Sequence, residues 1–424
     1  MAQVLAGRHT DGLATRLTGI IRHPYFVFAI ICLEMAFAVH LYVIAASREL
    51  LPDLAVYVHA AEALRRGENI YNHPFEVEFV KGEFFRLRYL YPPLLAHVLS
   101  KFLFLGRDTL FFCWNILSFL AICGSVISIS LLLKKSWWAR FTLTQRMALV
   151  GFFTVCFEPL CSGVGHGQVS ALVLFCLSLF LLHSVSGHEI TAGIALACAI
   201  QLKMTPAVIV LAPLLFGRWR TLAWCGLSSV VLVLPTIVDT GSIGVFRDFL
   251  QSLSSTEESP VLRHNSFNFR VDKAILSPIG LFDNLVATGI TRLFLTTALV
   301  VGCIAIRRQG EEHYLNGISF LVVGMVFVSP VIWHHHFTWL LIPLAVMTMS
   351  SARDEQERLK ALTISLGIMF CLSKTYLIHI TVYHSAPSLL GVSALVPCGL
   401  LMAMGIFLVR AKVDLETIRR RQAA

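Results

Sequence analysis

Apolar runs recur along this chain from Tyr25 to Arg410, separated by polar and mostly basic stretches. A helix needs about 20 mainly apolar residues to cross the hydrocarbon layer of a bilayer. On that measure the pattern predicts spans near residues 25–46, 109–133, 147–162, 168–185, 189–204, 206–217, 220–237, 283–306, 314–332, 336–350, 360–382 and 389–410. The expectation is about 12 transmembrane helices, the shorter runs reading as broken or re-entrant pieces. The runs are continuously apolar rather than alternating, which excludes a closed barrel. The chain is expected to be an all-α polytopic membrane protein, with one integral membrane domain over residues 1–424.

Two connections are long, residues 47–108 and 238–282. In the first, Leu54, Val56, Tyr57, Ala60, Ala61 and Leu64 have the spacing of an amphipathic interfacial helix, stopped by Gly67. Tyr89, Tyr91 and Pro92-Pro93 suggest an aromatic anchor at the membrane interface. Basic residues flank alternate connections: Lys134, Lys135, Arg140 and Arg146, then Arg218 and Arg220, then Arg307 and Arg308, then Arg353, Arg358 and Lys360. Positive charge collects on the cytoplasmic side, so the two long connections are expected outside, as a first and a second outer loop. The first of them is itself basic, but long loops translocate largely regardless of charge.

Composition agrees with the pattern. Hydrophobic residues make up 56% of the 424 and charged residues 14%, against about 25% charged in a soluble domain. The net charge of +9 sits largely beside the spans, so nucleic acid is not an expected partner and membrane lipids are. The eleven cysteines lie in or beside apolar runs and form no CxxC pair, which reads as small core side chains. No small-residue cleavage site follows the first run, so no cleavable signal peptide is expected.

The candidate chemistry gathers at the outer ends of the runs. Asp53 stands where the chain leaves the first predicted span. A partly desolvated carboxylate there suits a general base that takes a proton from a hydroxyl; an Asp before a helical stretch also suits an N-cap. Lys203 ends a long apolar run just before Pro206, where an ammonium could hold a phosphate or snorkel to the interface. Three adjacent histidines, His334, His335 and His336, would point about 100° apart on an α-helix and cannot easily share one metal ion. Gln168 and Asn265-Ser266 add neutral groups of the kind that read sugar hydroxyls.

In order, the chain carries Asp-Leu-x-Val-Tyr from Asp53, Tyr-Pro-Pro at 91–93, Gly-Gln-Val at 167–169 and Leu-Lys-x-Thr-Pro at 202–206. Arg-Trp-Arg at 218–220, His-Asn-Ser at 264–266 and Ser-Pro-x-x-Trp-x-His-His at 329–336 follow. This order resembles glycosyltransferase family 87, membrane enzymes of the GT-C fold that use polyprenyl-phosphate-mannose. The resemblance implies a mannosyltransferase working at the outer face of a bacterial inner membrane, moving its sugar with inversion to a hydroxyl of a lipid or glycan acceptor. It implies Asp53 as the catalytic base and His335, His336 and Lys203 at the donor phosphate. Gln168, Asn265, Tyr57, His166 and Arg263 would line the pocket. It implies no cofactor and no metal.

A related donor, decaprenyl-phosphate arabinofuranose, would fit the same plan. A polytopic transporter or lipid flippase is the rival from another class, and a membrane-embedded accessory subunit of a glycan assembly complex is a third. A transporter should place its charges near mid-membrane; here Glu34 and Lys374 fall on different predicted spans and Glu158 falls near an outer end.

Overall fold

The computed structural model describes Gly19 and residues 23–33, 51–72, 74–80, 83–258, 269–329, 331–349, 355–385 and 390–410. Pro52 opens helix α1, Pro52–Arg65; proline suits a first helical turn because its missing N–H has no partner there anyway. The N-cap is Leu51, which gives no side-chain cap. Asp53 lies inside the first turn, so the capping reading of Asp53 does not hold. Leu54 to Val58, Ala60, Ala61 and Ala63 are all buried, so α1 is enclosed by protein over most of its surface rather than lying bare on a membrane.

Two strands, β1 Phe75–Val80 and β2 Glu83–Leu87, pair antiparallel with Phe75 opposite Leu87. The sequence reading does not include them, although Phe75-Glu76-Val77-Glu78-Phe79-Val80 alternates with a strand period. Helix α2, Pro93–Ser100, returns the chain against α1.

Helix α3, Arg107–Leu133, has 27 residues and is about 40 Å long at 1.5 Å per residue. The predicted span 147–162 is instead two helices, α4 Leu143–Val155 and α5 Glu158–Gly165, bent by 66°. The break falls at Cys156-Phe157, just ahead of Pro159, which cannot supply an N–H to a continuing helix. Helices α6, Ser170–Val185, and α7, Glu189–Leu202, follow as expected. Beyond α7 the backbone of Lys203 is extended. The predicted span 206–217 is a 3-10 turn, Thr205–Val210, and a short helix, Leu211–Leu215, in a stretch carrying Pro206 and Pro213.

The remaining predicted spans correspond to the helices α8 Trp219–Thr240, α9 Leu285–Arg308, α10 Tyr314–Phe327, α11 Leu341–Thr348, α12 Glu355–Ser385 and α13 Leu390–Arg410. Among the described residues, α3, α8 and α9 are each long and apolar enough to cross a membrane alone, and the bent α4–α5 pair makes a fourth if it is one span. Of the other predicted spans, 25–46 lies mostly outside the described residues, and the rest are shorter, broken or more polar helices as far as they are described, so a count of twelve is not reached among the described residues.

Burial separates the inside of the bundle from its lipid face. Helix α10 is buried almost all round, as a central helix must be. Helix α8 turns Leu227, Val230, Val231, Leu234 and Val238 outward, and α9 does the same with Leu285, Val286, Ile290, Leu293 and Phe294. Exposing each such side chain to water would forfeit about 1.5–3 kcal/mol; hydrocarbon removes that penalty. Helices α7 and α8 pack closely at Gly193, where an added Cβ would lie 2.6 Å from the Thr221 carbonyl oxygen. Small residues at such crossings let apolar helices associate in lipid by van der Waals contact.

Candidate functional site

The bend between α4 and α5 builds the floor of the site. At the end of α5, His166 and Gly167 turn the chain so that the His166 carbonyl accepts the Asp53 N–H at 3.0 Å. Gly167 has φ of +71° and its Cα faces α1, where a Cβ would stand 2.7 Å from the Leu54 Cβ. Only glycine fits that backbone and that gap without strain.

Gln168 follows, with 3% of its surface exposed. Its Oε1 accepts hydrogen bonds from the Tyr91 hydroxyl at 2.9 Å and the Tyr57 hydroxyl at 3.4 Å. Both phenols are donors, since burial raises their pKa well above the usual tyrosine value and Asp53 adds to the effect. With Oε1 occupied, the amide nitrogen is the group left to donate to the Asp53 carboxylate, with which Gln168 hydrogen-bonds. Asp53 keeps partial contact with solvent. Burial raises its pKa, and His166, the Gln168 hydrogen bond and Lys203 each pull it partly back. The result is a carboxylate more basic than a free one and still reachable.

Lys203 enters from the end of α7. Its Nζ lies 2.7 Å from His336 Nε2 and 5.2 Å from the ring centres of both Tyr91 and Trp339. An ammonium between two aromatic faces is held by their quadrupoles, which fixes its position without spending it on a carboxylate. His336 in turn stacks on Trp339 at 5.4 Å, the two rings inclined by 10°.

The three histidines sit on a 3-10 turn, His334–Leu340, not an α-helix. At three residues per turn, successive side chains diverge by about 120°. His334 meets Glu158, His335 faces His166 with ring centres 5.9 Å apart, and His336 meets Lys203. His335 is 7% exposed and its Nε2 has no hydrogen-bond partner among the described residues. A buried polar atom left open in this way costs about 1–3 kcal/mol and points to a ligand that completes it.

The structure thus brings Asp53, Tyr57, His166, Gln168, Lys203, His335 and His336 into one cluster. Arg263 and Asn265 lie outside the described residues. Tyr91 belongs to the cluster and the sequence reading missed it: the ring is buried rather than anchored at an interface. Its signal was the Tyr-Pro-Pro run, where the prolines keep Tyr91 out of the helix and open α2 at Pro93. Glu158 and Trp339 were also missed as parts of the site, and both owe their place to distant contacts.

Helices with outward-facing apolar side chains, together with a buried cluster of carboxylate, amide, lysine and histidines, have the make-up of a membrane-embedded enzyme. The sequence profile of glycosyltransferase family 87 matches residues 89–343, and the chain belongs to that family. It is a glycosyltransferase, and the transporter reading is set aside. Among similar proteins is the polyprenol-phosphate-mannose-dependent alpha-(1-2)-phosphatidylinositol pentamannoside mannosyltransferase of Mycolicibacterium smegmatis. It is 28% identical over 296 residues, 69% of this chain and 68% of the relative. The protein of the same description from Mycobacterium tuberculosis is 22% identical over 311 residues, 72% and 67% of the two chains.

Proposed function

We propose that this protein transfers a mannosyl unit from polyprenyl-phosphate-mannose to a hydroxyl of a lipid or glycan acceptor, with Asp53 as general base. The carrying observation is the convergence of a basic, reachable carboxylate with a buried cation and an unpartnered imidazole nitrogen in one cluster. Those are the two ends that an inverting transfer from a lipid phosphate needs. The names of the mycobacterial relatives, which state that donor, support the choice of mannose.

The chemistry follows from the placement. Asp53 accepts the proton of the acceptor hydroxyl as its oxygen attacks the anomeric carbon. The bond from that carbon to the phosphate oxygen breaks and polyprenyl phosphate departs with its electron pair. His335 Nε2–H donates to the phosphate, Lys203 supplies a positive charge beside it, and His336 holds Lys203 in place. Fixed donors aimed at developing charge are worth most in a site closed to water. In-line attack inverts the anomeric centre, so a β-linked donor gives an α-glycoside. No step calls for a metal or an organic cofactor. Tyr57, His166 and Gln168 line the sugar side, Arg263 and Asn265 are assigned to the same pocket, and the reaction is assigned to the outer face of the inner membrane, a reading that the basic residues flanking alternate connections support.

The test is transfer of label by purified protein from radiolabelled polyprenyl-phosphate-mannose to a lipid and glycan extract of its host, with Asp53→Asn alongside. Label moved by the wild type and not by the variant supports donor and base together. Label moved only from the decaprenyl-phosphate arabinofuranose analogue changes the sugar. Equal transfer by the variant removes Asp53 as the base.

A further inference from the structure

His334 takes no part in the steps above, yet it is firmly held. It is 4% exposed and is gripped from two helices. Its Nε2 lies 3.2 Å from the Leu372 carbonyl oxygen on α12. A carbonyl has no proton to give, so Nε2 carries the ring hydrogen. Its Nδ1 lies 2.7 Å from Glu158 Oε2 at the start of α5, with the oxygen off the nitrogen's ideal direction. A bare lone pair facing a carboxylate at that distance is repulsive, so the gap holds one proton, on the ring or on the carboxyl. Either placement leaves the pair neutral overall, which avoids the cost of an uncompensated buried charge.

Helix α5 reaches both halves of the site. Glu158 at its first turn holds His334, and His166 at its end holds the Asp53 N–H. His335 stands between them, and α5 also runs beneath it, with a Cβ on Gly163 coming 3.5 Å from the His335 Cβ. Around the pair, Lys374 faces Glu158 from α12, Cys161 lies on α5 itself, and His166 and His335 are the titratable neighbours of His334.

We propose that Glu158 is a positioning residue for the transfer: by clamping His334 it sets the 3-10 turn so that the open Nε2 of His335 meets the donor phosphate. This rests on the donor reading given above. Without the clamp the turn can rotate, and the first loss is in donor binding rather than in proton abstraction at Asp53. The side chain of Glu158 is 41% exposed, so shortening it leaves no large buried void and the fold survives.

The experiment compares wild type, Glu158→Ala, Glu158→Asp and Glu158→Gln in nanodiscs. It reads kcat and donor KM with polyprenyl-phosphate-mannose, together with the 15N resonances of the His334 ring, assigned through His334→Gln. Glu158→Ala and Glu158→Asp should each raise donor KM about tenfold or more with kcat changed less than about twofold. Glu158→Gln, whose amide can donate to Nδ1, should bring KM back to within about threefold of wild type. The His334 spectrum should show an Nε2-protonated ring whose Nδ1 resonance is shifted by Glu158, a shift lost in the alanine variant and recovered in the glutamine variant. Unchanged KM in both the alanine and aspartate variants overturns the proposal, and so does a His334 signal indifferent to Glu158. A wild type that turns over none of this donor while the spectra still show the clamp sinks the donor reading and leaves the clamp standing. If the alanine variant does not fold, the aspartate variant, which keeps the charge and shortens the reach, decides.

Discussion

Gly167 gives a sharp test of how the base is held. Gly167→Ala places a side chain on a residue with φ of +71°, which costs an L-residue about 1–2 kcal/mol. The new Cβ would also stand 2.7 Å from the Leu54 Cβ, 2.9 Å from the Leu51 Cβ and 3.3 Å from the Leu54 nitrogen. Carbon atoms rest about 3.5–4.0 Å apart, so the start of α1 must retreat by roughly 1 Å. Overpacking of that kind adds about 1–3 kcal/mol, for a total near 2–5 kcal/mol. Leu51 and Leu54 bracket Asp53, so the retreat carries the carboxylate away from Gln168. A 1 Å misplacement can cost about 100-fold in rate. Gly187→Ala is the control: Gly187 has φ of +79° but nothing within 4 Å of an added Cβ, so it bears the backbone strain alone. The assay pairs reversible denaturant titration in detergent with single-turnover transfer. Gly167→Ala should lose more stability than Gly187→Ala by about 1–3 kcal/mol and should alone lose turnover. Equal stability in the two variants, or turnover in Gly167→Ala within about twofold of wild type, refutes the packing of α1 on this turn as what positions the base.

Asp53→Asn should keep the fold and donor affinity while the rate falls about 10²–10⁴-fold, the usual worth of a general base; single-turnover kinetics read it. Because burial raises the Asp53 pKa and the base acts ionised, the rate should fall with acid through a midpoint above that of a free aspartate. Lys203→Met removes a charge that lowers that pKa, so the acid limb in a pH–rate profile should move upward. His335→Ala should raise donor KM about tenfold or more by deleting the open Nε2 donor, as read by donor titration. Dialysis against EDTA should leave the rate unchanged, and loss of activity rescued by a divalent ion would return a metal to the mechanism.

Much of the candidate site is legible in the sequence because its residues break local rules. Asp53, Lys203 and three successive histidines stand where an apolar chain has no packing use for them, and charge at a membrane boundary is costly enough to advertise itself. Tyr91 and Trp339 give no such signal, since an aromatic residue near an interface is ordinary. Glu158 looks like a charge at a span end; its partner is far along the chain, and nothing in the sequence near it names His334. An α-helix is the expected setting for the three histidines, and the 3-10 turn changes their directions and so divides their roles.

The sequence by itself determined the class of molecule. Transfer to hydrocarbon sums along a segment, so continuous apolar runs and flanking basic residues specify helices in a membrane wherever the segments finally sit. It also supplied the chemical groups. The tertiary structure alone decided how they meet: the 66° bend at α4–α5, the left-handed turn at Gly167, the strand pair and the clamp on His334. Tyr57 and Gln168 are 111 residues apart and Lys203 and His336 are 133 apart, yet they touch. Contacts over such separations are set by which helices pack together and at what angle, and that is a property of the whole bundle that no local pattern encodes.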